Sequence, residues 1–391
     1  MKKSLTMRKV AIIGIGQTPV REHWDYPIRY LGVQALFAAM QDAQVNTIDG
    51  LFVGNMLSGA LSEQEHLGAL VADYAGFDGI EAVKVEAACA SGAAAMRMAL
   101  MAVASGRMEI AAAVGVEKLT EFSGKFSTAA LATAADADYE ASIGLSFAAI
   151  NALMMRRYMH EYKVNKEDFA VFPMISHANA VHNPNAMFHN KISREDYAKA
   201  KLIADPINLL DSSPIADGAA AVIIVALDRI EKYAGKAVRV AACEMATDTV
   251  GLDSRKNPLV LKGVEKSASK ALKIAGIETK QIDLIELHDA FSIMSVLSLE
   301  NSGFCESGRA LFDANDGKFF INGKIPVCTF GGLKGRGHPV GATGLYQIVE
   351  AVQQVRAEAP PSIQVPDANW VMTQNVGGSG ATVITTILNK I

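Results

Sequence analysis

Ala38 to Asn55 reads AAMQDAQVNTIDGLFVGN, and Ala268 to Asp289 reads ASKALKIAGIETKQIDLIELHD. Both run from the end of an Ala-rich helix through a short connection to an Ile-Asp pair, Ile48-Asp49 and Ile282-Asp283, and then into an apolar strand. A second echo follows in the same order: DGAAAVIIVAL (Asp217 to Leu227) and SGATVITTIL (Ser379 to Leu388), each a glycine turn that feeds a β-branched strand. Two matched signals in the same order imply duplicated halves. Each half alternates β-branched runs with Ala-rich helical segments, the pattern of an α/β sheet with helices on both faces. The expectation is two similar domains, residues 7–120 completed by 206–233, and residues 237–391. Residues 121–205 differ in character: Met-, His- and Asn-rich, with helical period, as in MMRRYMHEYKVNKEDFAVFPMISHANAVHNPNA (Met154 to Ala186). They read as a loop domain or lid inserted before the last strand of the first half.

Composition narrows the function. The 391 residues carry a net charge of -4 and are 50% apolar, which suits a large soluble protein that acts on small molecules. Phosphate backbones need clustered cations, and no long Lys/Arg run exists, so nucleic acid is not an expected partner. No charge-free apolar run reaches 18 residues, and the start, MKKSLTMRKVAIIGIG, turns quickly to glycines and a polar segment. No membrane span is expected, and the location read from this is cytoplasmic. The four cysteines, Cys89, Cys243, Cys305 and Cys328, form no CxxC pair, so neither a disulfide framework nor a metal site is expected. Gly14-Ile15-Gly16 after the first strand invites a dinucleotide reading, but Pro19 holds the third glycine position and no clear helix start follows.

Four segments carry the chemistry. In VEAACASGAAAMRMAL (Val85 to Leu100), Cys89 lies between an apolar strand and an apolar helix, among residues small enough to admit a substrate arm. First-turn N–H groups and the helix dipole favour the thiolate there, yet free cysteine is also among the most buried residue types, and the stretch alone leaves both readings open. His338 lies in the glycine-rich FGGLKGRGHPVGATGLYQIVEAV, where it can hold a thiolate as an ion pair or donate to an oxyanion; as a lone loop histidine it is more often a surface residue. His288 closes the strand in IDLIELHDAFSIMSV, where ligands of α/β sheets collect, although His288-Asp289 also suits a solvated turn or helix cap. TQNVGGSGATVI presents a glycine turn, Asn375 to Gly380, whose N–H groups suit a developing oxyanion.

Taken together, these segments resemble the thiolase superfamily over nearly the whole chain from about Met7. Cys89-Ala90-Ser91 matches its CxS stretch, His288-Asp289-Ala290-Phe291 its HDCF variant, and Gly337-His338-Pro339 its GHP motif within a GGxxxxGHPxGATG setting. The wording is closest to the sterol-carrier-protein-like and archaeal-type branch. The resemblance implies a duplicated βαβαβαββ fold in five layers, α-β-α-β-α, with an inserted loop domain. It implies a CoA-dependent acyltransferase that makes or cleaves a 3-oxoacyl-CoA through acyl-Cys89, with coenzyme A esters as substrates and no bound cofactor. His338 would accept the Cys89 proton, the N–H groups of Cys89 and Gly377 would hold the oxyanion, and the enolate oxygen of the second step would be held by His338 and by a water positioned through His288.

Two alternatives stand beside it. One is a CoA-linked retro-aldolase of the same fold, which the intact Cys89 disfavours because those relatives do not use it; the other is a non-catalytic acyl-CoA-binding scaffold. The family's second acid/base cysteine is missing, since Asn375 and Ala290 occupy its two known positions. His288 and Cys328 are the candidates to replace it. The resemblance further implies a homodimer or higher oligomer, and in this branch a small zinc-ribbon and OB-fold partner encoded separately. His177, His182 and His189 read as channel-lining or solvated residues, and Lys334 and Arg336 as contacts for CoA phosphates or a partner, or as solvated charges. Met154, Met155, Phe172 and Met187 suggest an apolar pocket wall.

Overall fold

The computed structural model describes residues 7–233 and 236–391; the first six residues of the opening segment lie outside the described residues. The first half contains strand β1 (Val10–Gln17), helix α1 (Ile28–Ala43), β2 (Gly50–Gly54), α2 (Leu67–Tyr74), β3 (Glu81–Val85), α3 (Ser91–Ala104), β4 (Ile110–Glu117) and β5 (Gly218–Ala226). Between β4 and β5 runs the insertion, whose longest helices are α4 (Phe147–Tyr162) and α5 (Val171–Ala180). The second half contains β6 (Val238–Thr247), α6 (Lys262–Ala275), β7 (Leu284–Glu286), α7 (Ser292–Asn301), α8 (Thr343–Val355), β8 (Trp370–Gly377) and β9 (Thr382–Lys390).

The duplication is carried by hydrogen bonds as well as by order. The strands run β3-β2-β4-β5-β1 in the first half and β7-β8-β9-β6 in the second, with β2, β3 and β4 mutually parallel, as are β7 and β8. Val327 bridges Ile285 in the place that β3 holds beside β2. Asp49 accepts from the amides of Glu109 and Ile110 at 2.7 and 3.0 Å, and Asp283 accepts from those of Asn369 and Trp370, both at 2.8 Å. The repeated Ile-Asp is therefore one device used twice: a carboxylate that fixes the entry of the adjacent central strand. The two half-sheets join edge to edge through β1 and β6, antiparallel, over Val10 to Ile12.

Layering follows from burial. α1 and α2 cover the outer face of the first half-sheet, α6 that of the second, and α3 and α8 lie between them, giving α-β-α-β-α. α8 touches strands of both halves and is buried almost throughout. Gly14 and Gly16 have a packing role and no dinucleotide role: a Cβ on either would lie 2.2–2.3 Å from a carbonyl oxygen of α1. The insertion shares one core with the second half, in which Ile150, Met154, Tyr158 and Phe169 pack with Val264, Ile285 and Leu297. Met154, Met155 and Phe172 belong to that core and do not line the pocket that Cys89 faces, and Met187 packs against the central layer. Among the described residues, no helix is long and apolar enough to cross a membrane.

Candidate active site

Cys89 occupies the turn between β3 and α3. Ala88 before it has φ 52°, a left-handed conformation tolerable here because its side chain is only a methyl. Ser91 stitches the turn: its hydroxyl accepts from the Ala87 amide at 2.9 Å and donates to the Ala88 carbonyl at 2.6 Å. The serine of the CxS stretch therefore shapes the turn that presents the cysteine. Cys89 is 9% exposed and faces a cavity of about 110 Å³. Burial pushes its thiol up to about 12, and the buried Glu117 carboxylate adds to the rise, whereas the Gly378 N–H donating to the sulfur works the other way. The thiolate expected at a helix N-terminus is thus corrected to a resting thiol, because desolvation outweighs the dipole.

His338 faces the same cavity. Its Nδ1 lies 2.7 Å from Thr343 Oγ1, and the Thr343 hydroxyl donates to the Pro339 carbonyl at 3.1 Å. With its single proton so committed, Thr343 accepts from Nδ1–H, which leaves the lone pair of His338 on Nε2. The His288 ring stands nearly perpendicular, at 85° with centroids 5.2 Å apart, and its Nδ1 lies 3.1 Å from Asn375 Nδ2. Burial holds both imidazoles neutral: His288 falls to about 3, helped by Arg336 and Lys334, and His338 falls well below its usual range, helped by His288 and the same two cations. Donor atoms of Cys89, His288 and His338 lie within 4.8 Å of one another, and among the described residues no other trio of such side chains is spaced to hold a metal ion. The three distant motifs therefore meet at one point.

Other expectations are corrected. Cys328 does not line the cavity; it is buried under the end of β7 with its thiol toward the Leu287 carbonyl, and burial raises it well above the usual thiol range. Gly377 ends β8 against the Ala87 carbonyl, where a Cβ would approach to 2.4 Å, and the glycine that lines the cavity and reaches the sulfur is Gly378. Lys334 and Arg336 are buried away from solvent and hold protein partners: Lys334 donates to the carbonyls of Asp211 and Asp289, and Arg336 pairs with Glu350 at 2.7 Å. They fasten the glycine-rich loop. Asp289 does the same, accepting from the Leu333 amide at 2.6 Å and from Ser176 at 2.9 Å. His177 is buried, stacked on Phe188, with Nδ1 3.1 Å from the Asn190 carbonyl, while His182 and His189 are exposed. Cys243 is a core thiol and Cys305 is half-buried, and neither pairs with another cysteine.

Sequence reasoning missed several residues. Asn151 and Phe147 of α4, with Ser213, Pro214 and Ile215 just before β5, complete the cavity wall beside Ala290, Phe291 and Met294. Asn151 Oδ1 is buried without a hydrogen-bond partner. Its signal was a lone amide on the otherwise apolar buried face of the helix. Glu117 ends the apolar strand IAAAVGVE, and its carboxylate accepts from Asn55 Nδ2 and from the amides of Met56, Leu57 and Gly341 at 2.8–3.1 Å. A charge closing a buried strand was the available clue.

A cysteine and a neutral imidazole facing one cavity, mounted on a duplicated α/β sheet, define an acyl-transferring enzyme. The chain belongs to the thiolase family. The family model described as "Thiolase, N-terminal domain" matches residues 10–228, and "Thiolase C-terminal domain-like" matches residues 245–390. The chain is 43% identical over 386 residues to the acetyl-CoA acetyltransferase of Methanothermobacter thermautotrophicus, covering 98% of this chain and 100% of that one. It is 32% identical over 399 residues to human sterol carrier protein 2, covering 97% of this chain and 72% of that one. Among solved structures, an Ltp2-ChsH2(DUF35) aldolase superposes with a TM-score of 0.85 at 24% identity, covering 97% of both chains. At that identity the likeness speaks for the fold.

Proposed function

We propose that the chain is a CoA-dependent thiolase that makes or cleaves a short 3-oxoacyl-CoA through an acyl-Cys89 intermediate. The observation that carries this reading is the approach of the Cys89 sulfur and the neutral His338 ring across one cavity. His338 Nε2 accepts the thiol proton as the sulfur attacks the thioester carbonyl, so no standing thiolate is required. The N–H groups of Cys89 and of the Gly377-Gly378 turn hold the oxyanion, each donor contributing roughly 3 kcal/mol. Coenzyme A esters are the substrates, and the chemistry calls for no prosthetic group. A space of about 110 Å³ beside the sulfur suits a short acyl chain, in line with the acetyl group in the name of the methanogen relative. The intact Cys89–His338 pair disfavours both a retro-aldolase and a non-catalytic scaffold.

Assembly belongs to the same proposal. Among the described residues the outer edge of β3 pairs with no strand, and Val83 on it is 49% exposed, which supports a homodimer. The insertion exposes Phe122, Phe126, Tyr139 and Ile143, and the Ltp2-ChsH2(DUF35) pairing supports a small partner subunit. Four unpaired cysteines suit a reducing cytoplasm. The test is intact-mass spectrometry after incubation with acetyl-CoA, with and without any co-encoded small partner. The expected result is one acetyl adduct that Cys89→Ser abolishes; no adduct under either condition refutes the proposal.

A further inference from the structure

Among the side chains that line the cavity, only Cys89, His288 and His338 are titratable. The nearby acids are committed elsewhere: Glu117 to its four donors, Asp289 to Leu333 and Ser176. Cys328 lies behind the strand end. Asn375, in the place of the family's second cysteine, bonds to His288. Its Oδ1 makes no hydrogen bond, but a Cβ on Gly344 would lie 2.3 Å from that oxygen and 2.6 Å from the Ala93 amide nitrogen, so the two share a small space. Ala93 belongs to the first turn of α3, whose positive end attracts the oxygen and turns the Asn375 NH2 toward His288. His288 Nδ1 therefore accepts, and its proton sits on Nε2. In His338, as Thr343 dictates, Nε2 is bare.

We propose that His338 is the only base in both half-reactions, and that Asn375 is a positioning residue that keeps His288 in the tautomer whose Nε2–H donates to the thioester oxygen of the second acyl-CoA. This rests on the thiolase reading. In acylation, His338 Nε2 takes the Cys89 proton as the sulfur attacks; the bond from carbonyl carbon to CoA sulfur breaks, and that sulfur leaves with the proton. His338 is neutral again. In condensation it takes a proton from the α-carbon of the second acyl-CoA while His288 Nε2–H bonds to the enolate oxygen. The carbanion attacks the acyl-Cys89 carbonyl, the bond to Cys89 breaks, and the cysteine sulfur recovers the proton from His338. The protons balance with one base, and the perpendicular rings present one acceptor and one donor to the same centre.

The test uses the full chain with acetyl-CoA in D2O, following acetyl-Cys89 by intact mass and deuterium in the acetyl methyl of CoA esters. Cys328→Ala should keep both signals within about threefold of wild type. Asn375→Asp offers His288 an acceptor and moves its proton to Nδ1; exchange should fall about 100-fold while acylation stays within about fivefold. Asn375→Ala, which cannot introduce a buried charge, should lower exchange about tenfold with the same split between the two signals. A residue that merely supports the fold would depress both together. Retained exchange in the Asn375 variants, equal loss of both signals in Asn375→Ala, or lost exchange with normal acylation in Cys328→Ala overturns this proposal alone. A wild type that never carries acetyl on Cys89 overturns the thiolase reading with it.

Discussion

At Cys89 two physical effects compete, and their sizes decide the mechanism. A helix N-terminus stabilises an anion by at most a few kcal/mol, and here it acts on a sulfur shielded from water and facing the buried Glu117 carboxylate. Desolvation wins, and with the thiol pushed up to about 12 the sulfur is protonated near neutral pH. On the proposed mechanism, proton transfer to His338 therefore accompanies attack. The pH profile follows. His338 is lowered well below the usual imidazole value, so acid removes the base only far down the scale, and the thiol ionises only near the alkaline limit. Between about pH 6.5 and pH 9 the pair remains neutral, so the rate of Cys89 acylation measured by rapid-quench mass spectrometry should show no step from either group, and a step near pH 7 belongs to Glu117, which burial raises to about 7. An inflection near the ordinary histidine value that persists in Glu117→Gln would show that the site is wetter than its burial implies. The motifs singled out Cys89, His338 and His288 because each pattern is contiguous in sequence, and the three side chains face one cavity; the protonation state was not legible, because it depends on what covers the sulfur.

At the scale of elements, the cavity is held by carboxylates and amides that sequence reasoning passed over. α8 is buried on every side, yet carries Gln347, Glu350 and Gln354 along one stripe. Gln347 donates to the carbonyls of Leu287 and Gln374, Glu350 pairs with Arg336, and Gln354 donates to Thr329 and the Ile363 carbonyl. A helix with polar residues inside the molecule is thereby tied to the strand end that bears His288 and to the loop that bears His338. Lys334 and Arg336 could not be placed from sequence for the same reason: a charge in a glycine-rich loop reads as solvated unless its buried partners are known. Glu117 works across the other half, joining the Asn55–Leu57 turn to Gly341. Glu117→Gln turns an NH2 toward amide donors and leaves them unsatisfied, which should cost about 3 kcal/mol in urea unfolding. Because Gly341 follows the GHP motif, acylation should also slow by more than about tenfold. Loss of stability with a normal acylation rate would separate this carboxylate from the loop.

For the whole molecule, duplication was legible because it is local in each copy: a helix end, an Ile-Asp pair and an apolar strand are contiguous in sequence. What joins the copies is not local. The β1–β6 seam, the shared contacts of α8 and the core that the insertion forms with the second half all depend on residues far apart in the chain. The boundary near residue 205 had the same weakness, since Ser212 bridges Phe291 and Ile215 bridges His338 before β5 begins at Gly218. The seam also determines which edges remain open. It consumes β1 and β6, leaving β3 as the outer strand of the first half, with Val83 exposed and with Met98 and Met101 each 41% exposed on α3. An unpaired edge beside exposed apolar side chains is a template for a second copy, and α3 is the helix that Cys89 precedes. Light scattering should therefore give twice the chain mass. Val83→Lys should shift that mass toward the monomer and, by loosening the turn that presents Cys89, lower acylation in proportion to the monomer formed. A monomeric wild type with full acylation activity would remove β3 from both roles.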